Sequence, residues 1–231
     1  MKLALRRRIV TSPKMIAYAI GCLCLLFHSA AAMADIDKSG AYISAIGGAN
    51  FLGDQSIDAF IDNTSSTGNT SFSASYIVGF AVGYRFANNW SIEEEVVFRR
   101  NTLDRATLTP GGEFSDGNFE NTQLSAKALY HFPLRANNDV EAYLGGSVVW
   151  LSELDFDLET QAGEQPFEDD RFGFELHAGV RYQGWKHAYV GAGLRYLVVR
   201  DADLPSPADG SDRVTLDYDP LGVALEFGWR F

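Results

Sequence analysis

Three polar residues, Ser147, Glu175 and His177, have side chains that together could perform nucleophilic catalysis. In such a site a serine attacks, a histidine takes its proton and a carboxylate orients the histidine. Alternation along strands places all three on one face, but parity gives no hydrogen-bond geometry. We therefore expect a polar cluster rather than an enzyme, and we predict no catalytic residue.

The other histidines and carboxylates do not follow a metal-binding pattern. His131 and His187 have no Cys or His neighbour at ligand spacing. Carboxylates crowd two segments and could hold Ca²⁺ or Mg²⁺, but the helix-loop-helix calcium spacing is absent. They are Glu153, Asp155, Asp157, Glu159, Glu164, Glu168, Asp169 and Asp170 in the first segment and Asp201, Asp203, Asp209 and Asp212 in the second. We expect acidic loops that meet solvent or an extracellular ligand, with no metal site and no cofactor.

The last eleven residues show which kind of element carries such side chains. Large apolar residues occupy the odd positions, namely Leu221, Val223, Leu225, Phe227, Trp229 and Phe231, and Gly222, Ala224, Glu226, Gly228 and Arg230 occupy the even ones. Because side chains alternate across a strand, this is one strand with an apolar face and a face of small or charged residues. Small residues suit the crowded lumen of a narrow barrel, so we predict that the odd face meets lipid.

The other end of the chain is predicted to be a secretory signal peptide, residues 1–34. It has a basic start, an apolar run from Met15 to Phe27 and the small-residue site Ala32-Met33-Ala34. Both cysteines lie inside it, so the mature chain has no thiol chemistry. Five basic residues and no acidic residue leave with the peptide, which gives the mature chain a formal charge of −16. This acidity argues against a nucleic-acid partner.

The same two-faced alternation recurs along residues 35–231, which we interpret as a single domain. Eight strands are predicted at about 40–52, 72–86, 90–100, 120–132, 140–152, 172–182, 187–200 and 214–231. Each is long enough for the roughly 9 to 11 residues that a tilted membrane-spanning strand needs. The connections are alternately short and long, and the first long one, Gly53 to Thr70, is expected to be mobile. The sequence therefore predicts an all-β, antiparallel, up-and-down transmembrane barrel with short periplasmic turns and long extracellular loops.

Two short themes repeat among these strands. Ala-Tyr-aliphatic-small occurs at Ala41, Ala142 and Ala188, in the first, fifth and seventh strands. Gly-x-Arg-aromatic ends the second, sixth and eighth strands, at Gly83, Gly179 and Gly228. This indicates one hairpin unit reused rather than a solenoid, whose repeats recur at a fixed period.

At this point the chain resembles the OmpA-type eight-stranded outer-membrane barrels, including the opacity-like surface antigens called porin family proteins. The resemblance rests on the Ala-Tyr first strand, the Trp90-Ser91-Ile92-Glu93 start of the third strand and the C-terminal Phe231. It implies an integral outer-membrane protein, exported through the periplasm and surrounded by outer-membrane lipid and lipopolysaccharide. It also implies that Phe227, Trp229 and Phe231 form the signal read by the barrel-assembly machinery. We expect a barrel alone, without the family's optional peptidoglycan-binding domain.

Strand parity predicts a charged network inside the barrel. Its members are Arg85, Glu93, Glu95, Arg99, Lys127, Glu175, Arg181, Arg195, Glu226 and Arg230, together with His131 and His177. Since an eight-stranded barrel is just wide enough for side chains to fill it, these groups favour a plug. We expect a structural or surface-interaction protein; the alternatives are a small or gated channel and an outer-membrane lipid-modifying enzyme.

One carboxylate breaks the pattern. Glu94 faces lipid by parity, unless a local bulge turns it elsewhere. Near the periplasmic end the cost of such a charge is reduced.

Overall fold

A computed structural model describes residues 39–61, 63–114, 117–134, 139–160, 163–206 and 211–231. The predicted signal peptide lies outside these ranges. Within them there is no helix long and apolar enough to cross a membrane. The described residues form twelve strands: β1 Gly40–Phe51, β2 Gln55–Ile61, β3 Thr64–Ser73, β4 Ser75–Arg85, β5 Trp90–Thr109, β6 Gly112–Phe114, β7 Gly117–Pro133, β8 Val140–Thr160, β9 Gly163–Tyr182, β10 Ala188–Pro205, β11 Arg213–Tyr218 and β12 Leu221–Arg230.

Eight of these strands form a closed antiparallel ring. β1 pairs with β4 and with β12, and β4, β5, β7, β8, β9, β10 and β12 follow one another around the ring. The short connections 86–89, 134–139 and 183–187 lie at one end, called here the turn end. The opposite end is called the hairpin end. The predicted eight-stranded barrel is confirmed.

The barrel wall extends beyond this ring at the hairpin end. β2 and β3 continue β1 and β4, and β11 continues β12, after breaks at 52–54, Ala74 and 219–220. β11 pairs with β10 and β2, β2 pairs with β3, and β3 pairs with β5. The prediction of a long loop from Gly53 to Thr70 is therefore wrong, because β2 and β3 form a hairpin in the barrel wall. The acidic segment from Glu153 to Asp170 is likewise a strand pair, formed by the end of β8 and the start of β9, and β8 alone has 21 residues.

The apolar face changes sides between the two ends. In β12, Leu225 and Phe227 face outward, whereas in β11 Val214 and Leu216 face inward. Inward residues are even-numbered in both strands, so the wall keeps its parity while the hydrophobic pattern inverts. The turn end is built like a membrane barrel and the hairpin end like a soluble one.

An apolar core fills the hairpin end. Phe119 stacks on Tyr218 with ring centroids 4.6 Å apart and contacts Phe156 at 5.4 Å. Leu151 and Phe167 in the same cluster have no exposed surface. Side chains from all parts of the wall thus close this half of the lumen.

One residue of this cluster contradicts the facing that alternation predicts. Alternation assigns Phe72 to the outward face together with Tyr76 and Phe80, but it lies inside, with its ring 6.1 Å from that of Phe119. The break at Ala74 shifts the alternation by one residue. Tyr76 and Phe80 therefore face outward while Phe72 faces inward.

The two repeated themes contact each other across neighbouring strands. Each tyrosine of the first theme packs over a glycine of the second, and this contact is called here a tyrosine–glycine joint. Tyr42 lies directly across from Gly83, Tyr143 from Gly179 and Tyr189 from Gly228. A Cβ atom on these glycines would come within 2.6, 2.5 and 2.1 Å, respectively, of the facing tyrosine ring. Each glycine therefore makes the space that a tyrosine fills, and the three rings turn into the lumen.

Candidate functional site: the charged lumen

Inward positions of the turn end carry a layer of ion pairs. At its centre, Lys127 Nζ lies 2.9 Å from Glu93 Oε2 and 2.6 Å from Glu95 Oε2. Arg181 links Glu93 to Glu226, at 2.9 Å from an oxygen of each. These side chains come from β5, β7, β9 and β12, so the pairs tie together opposite walls of the barrel.

A second set of contacts lies next to the apolar core. Glu175 binds both Arg99 and Arg195, and Gln123 Nε2 donates to its Oε2 at 2.8 Å. Arg99 also donates to Asn50 Oδ1 at 3.1 Å. Arg99 and Glu175 have no exposed surface. This layer separates the ion pairs below from the apolar side chains above.

Arg181 is surrounded by the three tyrosines of the repeat. Its guanidinium carbon lies 5.8 Å from the ring centre of Tyr42 and 4.9 Å from those of Tyr143 and Tyr189. Such cation–π contacts add to the ion pairs. Sequence reasoning missed these tyrosines as lumen residues, although the outward facing of their aliphatic neighbours implied it.

A separate cluster lies at the turn end. Glu141 pairs with Arg85 at 3.2 Å and accepts a hydrogen bond from Gln183. His131 Nδ1 lies 2.6 Å from Glu141 Oε1, and His131 Nε2 lies 2.9 Å from Ser91 Oγ. Glu141 was also missed. Its signal was the outward facing of Ala142 and Leu144, which by parity turns Glu141 inward.

The structure places nine of the ten residues predicted for the network inside the lumen, eight of them in the two linked layers and Arg85 in the separate turn-end cluster. Arg230 is the exception, because it lies at the rim of the turn end with Nη2 3.4 Å from Trp185 O. As the last residue of β12 it is only partly buried. With Glu141 included, the network contains five carboxylates and five Lys or Arg side chains, each 9% exposed or less. The buried layer is thus balanced in formal charge.

The group of Ser147, Glu175 and His177 does not form a relay. Ser147 Oγ lies 3.0 Å from His177 Nε2, but the nearest Glu175 oxygen lies 3.5 Å from the same nitrogen. A relay needs the carboxylate on the opposite ring nitrogen, Nδ1. Glu175 is instead held by Arg99 and Arg195.

Glu94 lies outside the lumen. The pairing is continuous through it, with Val82 on one side and Ala126 on the other, so the alternative of a local bulge is wrong. Its side chain borders a groove of about 590 Å³ on the outer wall, whose floor includes Ala126, Ala128 and Gly146.

Acidic side chains at the hairpin end pair with arginines on the outer wall. Arg171 lies 2.9 Å from Asp169, and Arg200 lies 2.6 Å from Asp217. The backbone N–H of Asp201 and the Arg200 guanidinium hold the pKa of Asp217 below its ordinary value. Within the described ranges, no group of three or more His, Cys, Asp or Glu residues could hold a metal ion.

Comparison with known proteins agrees with this architecture. Residues 20–231 match the family described as outer membrane protein beta-barrel domain. The chain belongs to this outer-membrane β-barrel family. The protein is therefore an integral protein of the bacterial outer membrane, and the apolar outer face of its turn end is the lipid-facing band.

Two solved structures show the same family fold. OprG from Pseudomonas aeruginosa is 20% identical, with a TM-score of 0.60 over 85% of this chain and 99% of OprG. AlkL, solved in lipid bilayers, is 16% identical, with a TM-score of 0.53 over 87% of this chain and 94% of AlkL. No curated protein matched the sequence significantly.

The family assignment gives the closing strand its context. Phe227, Trp229 and Phe231 lie on the lipid-facing band and are 56%, 47% and 68% exposed. In this family the short turns face the periplasm. The turn end is accordingly the periplasmic end, and the hairpin end stands outside the cell.

Proposed function

We propose that the protein is a closed structural barrel that holds a rigid, acidic extension above the outer membrane, where it serves envelope integrity or contact with a surface ligand. Under this proposal the lumen contains no permanently open pore. Its main support is that the lumen is filled at two successive levels, by ion pairs and then by an apolar core.

The balance of the ion pairs supports this role. Removing one member of a buried pair leaves an uncompensated charge, which costs several kcal/mol. Opening a path past Lys127 or Arg195 would separate groups that each contact two carboxylates. A gated channel would also need Phe119 and Phe156 to leave the core above.

Planar-bilayer recording tests the proposal. Refolded protein, shown to be closed by its shifted migration on an unheated gel, should give no steady conductance, while an open porin in the same membrane conducts. A reproducible open state in the folded protein would favour the channel alternative. Residual leakage that disappears after unfolded material is removed would support the closed barrel.

The outer wall of the hairpin end supports the proposed contact with a surface ligand. It stands where lipopolysaccharide sugars and phosphates surround a barrel, and its acids could meet those phosphates through divalent cations. Lipopolysaccharide that binds equally with Mg²⁺ and with a chelator would contradict this bridging.

A further inference from the structure

The turn-end cluster has the geometry that the predicted grouping around Ser147 lacks. Ser91 Oγ lies 2.9 Å from His131 Nε2, and Glu141 Oε1 lies 2.6 Å from His131 Nδ1. The hydroxyl and the carboxylate thus occupy opposite nitrogens of one imidazole. This is the arrangement of a serine nucleophile, its general base and the acid that orients the base.

Neighbouring strands hold these groups in place. Ser91 is on β5, His131 on β7 and Glu141 on β8, all at inward positions close to the turns. Arg85 and Gln183 bind the carboxylate of Glu141. Because the imidazole contacts both of its partners through ring nitrogens, its orientation is fixed by the barrel wall rather than by a loop.

The hydrogen bonds also define the protonation of the imidazole. The Glu141 carboxylate can only accept, so His131 carries its proton on Nδ1. The lone pair on Nε2 then accepts the hydroxyl proton of Ser91. This tautomer is the one in which a histidine can remove a proton from serine.

Access lies through the turn end. Ser91, His131 and Glu141 are at most 2% exposed, but Asn89 and Gln183, which contact their partners, are only partly buried. Movement of the Gln183 side chain would open the cluster to the periplasm. Arg85 is the direct cross-strand neighbour of Ser91, and its guanidinium lies 3.2 Å from Glu141, so a positive charge lies beside the cluster.

We propose that Ser91, His131 and Glu141 form a serine hydrolase site that opens to the periplasm and accepts esters of short acyl chains. Ser91 Oγ attacks the ester carbonyl carbon while its proton passes to His131 Nε2. The bond to the alcohol breaks, and that proton leaves with the alcohol. Water then attacks the acyl-serine carbonyl carbon and gives a proton to His131 Nε2. The bond between the acyl carbon and Ser91 Oγ breaks, His131 returns the proton to that oxygen, and the carboxylic acid leaves.

The limit to short acyl chains follows from the side chains that fill the lumen above the cluster. The Tyr143 ring has its centre 6.1 Å from that of His131, and Arg181 lies among the tyrosines beyond it. A long chain could not extend into the lumen. The proposal concerns the periplasmic mouth and does not depend on the role proposed for the hairpin end.

A fluorophosphonate probe on the folded barrel tests the site. Adduct mass mapping should locate the label on Ser91, and Ser91→Ala should abolish it. His131→Gln should slow labelling about 100-fold, the usual contribution of a general base. Gln183→Ala should increase the rate, since it removes part of the cover. Ser147→Ala is the matched control and should label like the parent protein.

Two further measurements separate catalysis from structure. p-Nitrophenyl butyrate should be hydrolysed by the parent protein and not by Ser91→Ala. Glu141→Gln should move the acidic limb of the labelling profile to lower pH, because the imidazolium loses its carboxylate, whereas a merely structural role would leave the limb in place. An unlabelled Ser91 in both the folded parent and Gln183→Ala would overturn the proposal, as would labelling without ester turnover.

Discussion

Among single residues, Glu94 places a carboxyl group against lipid hydrocarbon. Within the described ranges it makes no hydrogen bond or ion pair, and the register fixes it on the outer wall. We predict that Glu94→Leu raises the free energy of unfolding by about 1–2 kcal/mol, since charged groups destabilise the lipid face. Urea unfolding in lipid vesicles would measure this change.

Glu120→Leu is the control for that variant. Glu120 also faces outward, but it pairs with Arg100 at 3.3 Å above the lipid-facing band. The Glu120→Leu variant should be no more stable than the parent protein. Equal stabilisation by both variants would mean that the lipid environment of Glu94 is not the cause.

The tyrosine–glycine joints make a second prediction about single residues. Gly83→Ala would push a methyl group against the Tyr42 ring, whose hydroxyl is held 2.6 Å from Glu93. Overpacking of this kind costs about 1–3 kcal/mol. Equilibrium unfolding should show that loss for Gly83→Ala. Gly47→Ala, whose new atom meets nothing within 4 Å, should change little.

A double-mutant cycle would attribute the loss to the joint. Combining Gly83→Ala with Tyr42→Ala should recover part of the cost, because the ring that the methyl group meets is gone. Strict additivity of the two changes would show that the clash is elsewhere.

At the scale of strands, β12 carries the exposed aromatic end. We predict that Phe231→Ala lowers the amount of barrel in the outer membrane while leaving refolding in detergent nearly unchanged. The physical reason is that an exposed ring adds little to a fold but can be bound by the assembly machinery. Quantitative blotting of membrane fractions, beside a refolding assay, would separate the two effects.

Phe172→Ala provides the matched comparison. Phe172 is 75% exposed on the same outer face but lies near the other edge of the band, far from the C-terminus. It should assemble normally. A similar deficit for both variants would indicate a general need for outer-face aromatics rather than a terminal signal.

The strands also show where sequence reasoning works and where it stops. Eight strands could be predicted at the turn end because outward residues such as Leu225 and Phe227 alternate with small ones. The strands of the hairpin end were harder to predict. Inward Leu216 alternates there with outward Thr215, which is the ordinary pattern of a strand in a soluble protein. The break at Ala74, which reverses the facing of Phe72, leaves no clear signal in the sequence.

For the lumen, parity is a good guide to direction and a poor one to partners. Parity predicted that Glu175 and His177 face inward, but only the structure shows that the carboxylate lies near Nε2 of the imidazole rather than Nδ1. Parity also predicted that Arg230 faces inward, but it does not show whether a residue lies within the lumen or at its rim. Cross-strand distances depend on register, which alternation within one strand cannot supply.

At the scale of the whole molecule, the two halves predict opposite responses to the loss of a phenylalanine. Phe156 is fully buried in the apolar core, so Phe156→Ala should cost about 3–5 kcal/mol. Phe174 is 68% exposed on the lipid-facing band, so Phe174→Ala should cost much less because lipid fills the space. Vesicle unfolding compares them directly, and equal costs would contradict a packed core at the hairpin end.

The inversion of the apolar face along β11 and β12 constrains how the barrel can be inserted. The hairpin end presents polar side chains outward and therefore cannot slide through hydrocarbon as a finished unit. Its aromatic core needs side chains from the whole wall, so it cannot form until every hairpin has crossed. We therefore expect the membrane-embedded half to form first and the aromatic core of the hairpin end to pack last.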